Sequence, residues 1–131
     1  MKYIKTYEQS KGITFKQWLK NNPQDLNTTE IDCLNSNLID LDGIEQFTNL
    51  KVLRCSSNQL TFLPDLPDTL VDLYCSDNQL TSLPDLPDTL VDLYCYGNKL
   101  PYNNLDGYWK WFKETYPEKW RLKQDVKKYN L

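Results

Sequence analysis

Four cysteines, Cys33, Cys55, Cys75 and Cys95, stand 22, 20 and 20 residues apart, and this spacing constrains the fold more than any other feature of the chain. Disulfide frameworks and zinc knuckles place cysteines irregularly or in CxxC pairs, so an even march of single cysteines signals a repeat. Aligned on them, the chain reads TTEIDCLNSNLIDLDGIEQFTN, LKVLRCSSNQLTFLPDLPDT, LVDLYCSDNQLTSLPDLPDT and LVDLYCYGNKLPYNNLDG. Residues 61–75 and 81–95 differ only at Phe62 against Ser82, for which a tandem duplication is the simplest origin. A period in the twenties belongs to a stack in which each unit buries its apolar face only against its neighbours.

Within a unit, Leu73 and Cys75 alternate with Asp72, Tyr74 and Ser76, the period of two expected of a short strand with one buried face. Successive strands then pair in parallel about 4.8 Å apart, stacking leucine on leucine and cysteine on cysteine. Asn58, Asn78 and Asn98 follow each strand where the chain turns inward, and their amides are expected to satisfy backbone groups in an asparagine ladder. Ser36, beside Asn37, takes that place in the first unit, so the ladder is expected to be imperfect there. Pro64, Pro67, Pro84 and Pro87 fix φ and remove donors, which predicts extended return segments rather than helices.

A stack exposes its core at both ends and needs caps. Thr14 and Gln17 form a TxxQ capping box ahead of Phe15, Trp18 and Leu19, predicting a short helix that Pro23 ends. Leu105, Trp109, Phe112 and Tyr116 have helical spacing, with Asp106 as the expected N-cap, Pro117 as an interruption and a second helix through Trp120 and Val126.

Composition narrows the chemistry. The 131 residues, 40% hydrophobic and 13% aromatic, suffice for one domain with a core. They include no histidine, which removes histidine general acid/base catalysis and histidine metal ligation. No apolar run of about eighteen residues appears, and the opening MKYIKTYEQSKG alternates lysine with tyrosine instead of supplying a signal peptide's apolar segment. The net charge of −3 is unevenly spread, since residues 31–100 hold 11 acidic and 3 basic side chains. The flanks are basic, so an acidic arc lies between basic ends, which favours a basic partner at the arc and repels nucleic acid there.

The pattern LxxLxCxxNxL, as in Leu70, Leu73, Cys75, Asn78 and Leu80, resembles leucine-rich repeats. The units closing in LPDLPDTL look like the short repeats of bacterial type III secretion effectors, some of which carry a ubiquitin-ligase domain. No such domain stands in this sequence, and ligase activity is not carried over. The first unit, with LDGIEQFTNL, looks more like the repeats of internalin-type and phosphatase-regulator proteins. The resemblance implies an α/β leucine-rich-repeat solenoid with a short parallel β-sheet on its concave face, extended proline-containing convex segments and helical caps. Its expected divisions are 1–27, 28–104 and 105–131. It also implies an interaction module of the cytoplasm, or of the host cytosol if the chain is a secreted effector; a small repeat protein of a virus, phage or bacterium fits equally.

The outward residues of the strands supply the candidate site: Arg54, Asp72, Tyr74, Asp92, Tyr94 and Tyr96, tyrosines and an arginine among carboxylates, the residue types that carry binding energy at interfaces. The competing reading is that Tyr74 and Tyr94 only stack across strands. The cysteine column spreads its thiols along a line about 15 Å long and reads as buried packing, with no metal or cofactor. The basic residues Lys110, Lys113, Lys119, Arg121, Lys123, Lys127 and Lys128 read as the solvated face of a terminal helix, not a membrane or phosphate site. Asp65, Asp68, Asp85 and Asp88 read as turn residues, not calcium ligands. The expected function is non-catalytic binding of a protein partner, with self-assembly through the basic ends and acidic arc as the alternative.

Overall fold

Each of the four sequence units contributes one three-residue strand to a single parallel sheet. The computed structural model describes residues 11–129; the opening stretch read against a signal peptide lies mostly outside them, as do the first ten residues of the expected N-terminal division. Strands β1 (Glu30–Asp32), β2 (Val52–Arg54), β3 (Asp72–Tyr74) and β4 (Asp92–Tyr94) lie side by side in chain order. The register aligns Ile31, Leu53, Leu73 and Leu93 in one column. That column is buried, as are Cys33, Cys55, Cys75 and Cys95.

A second row of hydrogen bonds runs along the turn that follows the strands. Gln59 N donates to Leu38 O, Gln79 N to Leu60 O and Lys99 N to Leu80 O, at 2.8 to 2.9 Å. At the N-terminal end Ile13 joins this row, accepting at 2.9 Å from Ile39 N. The turn itself requires a left-handed residue two places after each cysteine: Asn35, Ser57, Asp77 and Gly97 have φ of 49°, 57°, 56° and 71°. Only glycine takes this conformation without steric cost.

The asparagines make the same bonds in successive units. Asn78 Nδ2 donates to Cys55 O at 3.0 Å and Cys75 O at 3.1 Å, while its Oδ1 accepts from Leu60 N at 3.0 Å. Asn58 accepts from both Ser36 N and Leu38 N, and Asn98 accepts from Leu80 N. In the first unit the Ser36 hydroxyl instead turns back to Leu34 O at 3.1 Å. On the return path the hydroxyls of Thr69 and Thr89 donate to Leu50 O and Leu70 O at 2.6 and 2.7 Å. The proline-bearing segments are non-helical, and the first unit alone has a single 3₁₀ turn, Ile44–Gln46.

Helices stand before and after the sheet. In α1 (Phe15–Asn21) the capping box forms in both directions, Gln17 N to Thr14 Oγ1 at 3.1 Å and Thr14 N to Gln17 Oε1 at 2.8 Å. Phe15 N donates to Asp40 Oδ1 at 3.0 Å, tying the helix to the first unit, and Phe15 and Trp18 stack on each other within the core. After β4 the chain doubles back, with Cys95 N donating to Asn103 O at 3.1 Å and an antiparallel bridge between Tyr94 and Asn104. Helix α2 (Leu105–Thr115) follows, then α3 (Pro117–Tyr129). The N-cap of α2 is Asn104, whose Oδ1 accepts from Gly107 N at 2.8 Å, and not Asp106 as expected from the sequence. The antiparallel bridge holds Asn104 extended, the backbone that an N-cap needs, and leaves Asp106 inside the first turn.

Candidate functional site

The outward side of the sheet carries its side chains in columns fixed by the register. One column runs Asp32, Arg54, Tyr74 and Tyr94, and the next runs Glu30, Val52, Asp72 and Asp92. In the first, the Arg54 guanidinium pairs with Glu30 and lies 5.4 Å from the Tyr74 ring centroid. The Tyr74 and Tyr94 rings stack at 4.9 Å and 9°, nearly parallel. A continuous ladder of carboxylate, guanidinium, ring and ring therefore crosses three strand gaps. Charge alone stabilises little at the exposed Arg54–Glu30 pair, and the position of the guanidinium over the Tyr74 ring adds a cation–π attraction.

In the neighbouring column Asp72 and Asp92 face each other and their carboxyls share a hydrogen bond. Loss of hydration, with the bond and charge of Asp92, raises the Asp72 carboxyl above its ordinary value, against the pull of Arg54. A raised carboxyl on an open sheet was not expected from the sequence; the register, which puts aspartate beside aspartate, produces it.

Of the six candidate residues, the structure brings Arg54, Tyr74 and Tyr94 into one stack and Asp72 with Asp92 into one pair. Tyr96 stands apart, 54% exposed, and among the described residues it makes no ring contact with the other two. Ser76, which alternation places on the outward side, is buried, and its Oγ has no hydrogen-bond partner among the described residues. Its backbone N–H donates to Ser56 Oγ at 3.2 Å.

The thiols lie beneath this face. Burial pushes Cys33 up to about 12 and Cys95 up to about 11, and it also raises Cys55 and Cys75 above the ordinary thiol value. Thiols held neutral in this way are poor nucleophiles and poor metal ligands.

Sequence reasoning missed a cleft of about 190 Å³ beyond β4, bordered by Val91, Asp92, Tyr94, Asn104 and Asp106. It is created by the reversal of the chain after the fourth unit, which no periodicity announces.

No protein-family model matches the chain, and no curated protein matches it. A solved structure of YopM from Yersinia enterocolitica WA-314 is similar to it, with a TM-score of 0.55 and 30% sequence identity over 75% of this chain and 24% of that one. The chain spans about a quarter of that protein's length. With one parallel strand per unit, this likeness gives the chain an α/β leucine-rich-repeat fold. No helix among the described residues is long and apolar enough to cross a membrane.

Proposed function

We propose that the chain is a non-catalytic recognition module that binds a protein partner through the outward, concave face of its repeat sheet. The ladder from Glu30 through Arg54, Tyr74 and Tyr94 carries this reading, because it presents pre-ordered aromatic and guanidinium surface beside a carboxylate pair. Groups already held in place lose little conformational freedom on binding. Stacking of Tyr74 on Tyr94 stabilises the sheet as well, but Tyr94 remains 41% exposed and offers area to a partner. Arg54, Asp72, Tyr74, Asp92, Tyr94 and Tyr96 form the contact set, and their carboxylates favour a basic partner. The resemblance of the LPDLPDTL units to effector repeats supports a role against host proteins. The test is capture from lysate by the wild-type chain and by a Tyr74→Ala, Tyr94→Ala, Tyr96→Ala variant that circular dichroism shows to be folded. A protein held by the first and lost by the second is the expected result; equal recovery moves recognition away from this face.

Self-assembly is the second reading, favoured by α3, which buries none of its side chains and exposes Leu122, Val126 and Tyr129 at 64, 43 and 61%. These recur at helical spacing among lysines that complement the acidic repeats. Light scattering at low and high salt decides it: a monomer at every concentration removes this reading.

A further inference from the structure

The cleft beyond β4 sets a tyrosine ring beside carboxylate-bearing residues, as the Arg54 site does at the other end of the ladder. There, a guanidinium rests on the Tyr74 ring and pairs with the Glu30 carboxylate. Here, Tyr94 borders the cleft with the carboxylates of Asp92 and Asp106, while Tyr74 stacks against Tyr94 from the β3 side. Among the described residues no basic side chain lines the cleft, and neither Asp92 nor Asp106 enters an ion pair. Two carboxylates outweigh the roughly half positive charge of the α2 N-terminus. The exposed Val91 side chain adds an apolar wall for a methylene stem. A volume of about 190 Å³ is several times the ~30 Å³ share of one water molecule.

We infer that this cleft receives an arginine side chain of the partner, its guanidinium placed on Tyr94 and held by Asp92 and Asp106, which extends the ladder by one cation. The inference rests on the reading of the outward face as a recognition surface and names the residue type it recognises. Arginine is favoured over lysine because a planar guanidinium both stacks on a ring and matches a carboxylate.

The blocked tripeptide acetyl-Gly-Arg-Gly-amide, titrated into the isotope-labelled full chain, tests it by NMR. The expected result is saturable shifts confined to residues 91–94 and 104–106. The citrulline counterpart, neutral and nearly isosteric, is expected to bind about tenfold more weakly. Asp106→Asn, an exposed substitution, is expected to weaken the arginine peptide about two- to fivefold, while Asp65→Asn on a return segment leaves it unchanged. Shifts spread over all acidic surfaces, equal binding of citrulline, or equal effects of Asp106→Asn and Asp65→Asn overturn the inference. The recognition reading is scored separately: a partner whose capture needs Tyr74 and Tyr96 but not Asp106 preserves that reading and overturns the cleft, whereas peptide binding at the cleft with no face-dependent capture does the reverse.

Discussion

A single buried amide at Asn78 donates to the carbonyls of Cys55, Cys75 and Ser76 and accepts from Leu60 N, and the two cysteine carbonyls are shared with the amides of Asn58 and Asn98, so its loss strips one buried N–H and loosens both neighbouring turns. Asn78→Ala is therefore expected to cost about 2 to 3 kcal/mol in urea unfolding, with Asn98→Ala costing less because that amide is only half-buried. The outward face behaves oppositely. Asp72 has a carboxyl raised in the folded state, so between its ordinary value of 3.8 and that raised value the folded chain binds more protons than the unfolded one. Stability contributed by this group thus falls as pH rises through that window. Asp72→Asn is expected to stabilise the chain at neutral pH and to give no advantage below the window, measured by urea melts at the two pH values; a gain independent of pH would refute the assignment. Asparagine positions and the tyrosine column are legible in the sequence because both recur with the period. The left-handed turn residues are not, since Asn35, Ser57, Asp77 and Gly97 share a backbone angle but no side-chain chemistry, and only Gly97 advertises it. Ser76 shows the limit of alternation, which tells which side of the sheet a residue takes but not what its neighbours then cover.

Strands of three residues cannot stand alone, and their persistence depends on the rows of bonds beside them and on the helices before and after. Phe15 and Trp18 place α1 within the same core as Ile31, so Trp18→Ala is expected to cost about 3 to 5 kcal/mol and to expose the first unit to hydrogen exchange before the others. Helix α2 offers a sharper comparison. Because Asn104 and not Asp106 bonds to Gly107 N, Asn104→Ala is expected to cost about 1 kcal/mol and Asp106→Ala only a few tenths, read from thermal melts. The helical spacing of Leu105, Trp109, Phe112 and Tyr116 predicted that a helix follows the repeats. Its starting residue depended on the antiparallel bridge between Tyr94 and Asn104, a contact that forms only after the chain has reversed. The cleft beyond β4 was hidden for the same reason, as its two sides come from residues 91–94 and 104–106.

For the molecule as a whole, charge works against the stack. In-register pairing sets Asp72 beside Asp92, and residues 31–100 carry 11 acidic against 3 basic side chains. Screening that repulsion, by raising salt so that the Debye length falls from about 30 to about 8 Å, is expected to raise the melting temperature; a fall would mean that pairs such as Arg54–Glu30 outweigh the repulsion. The same salt series weakens any association that joins basic α3 to acidic repeats. The third and fourth strands follow segments that differ only at Phe62 against Ser82, and they meet their neighbours in the same register. Two such segments are also two near-identical stretches of coding sequence, so unequal recombination between them adds or removes a whole turn of twenty residues while the helix at either end keeps the neighbour it already has. The number of strands, and with it the extent of the outward face, is thus a trait that heredity can change in whole steps without the chain passing through an unfoldable intermediate.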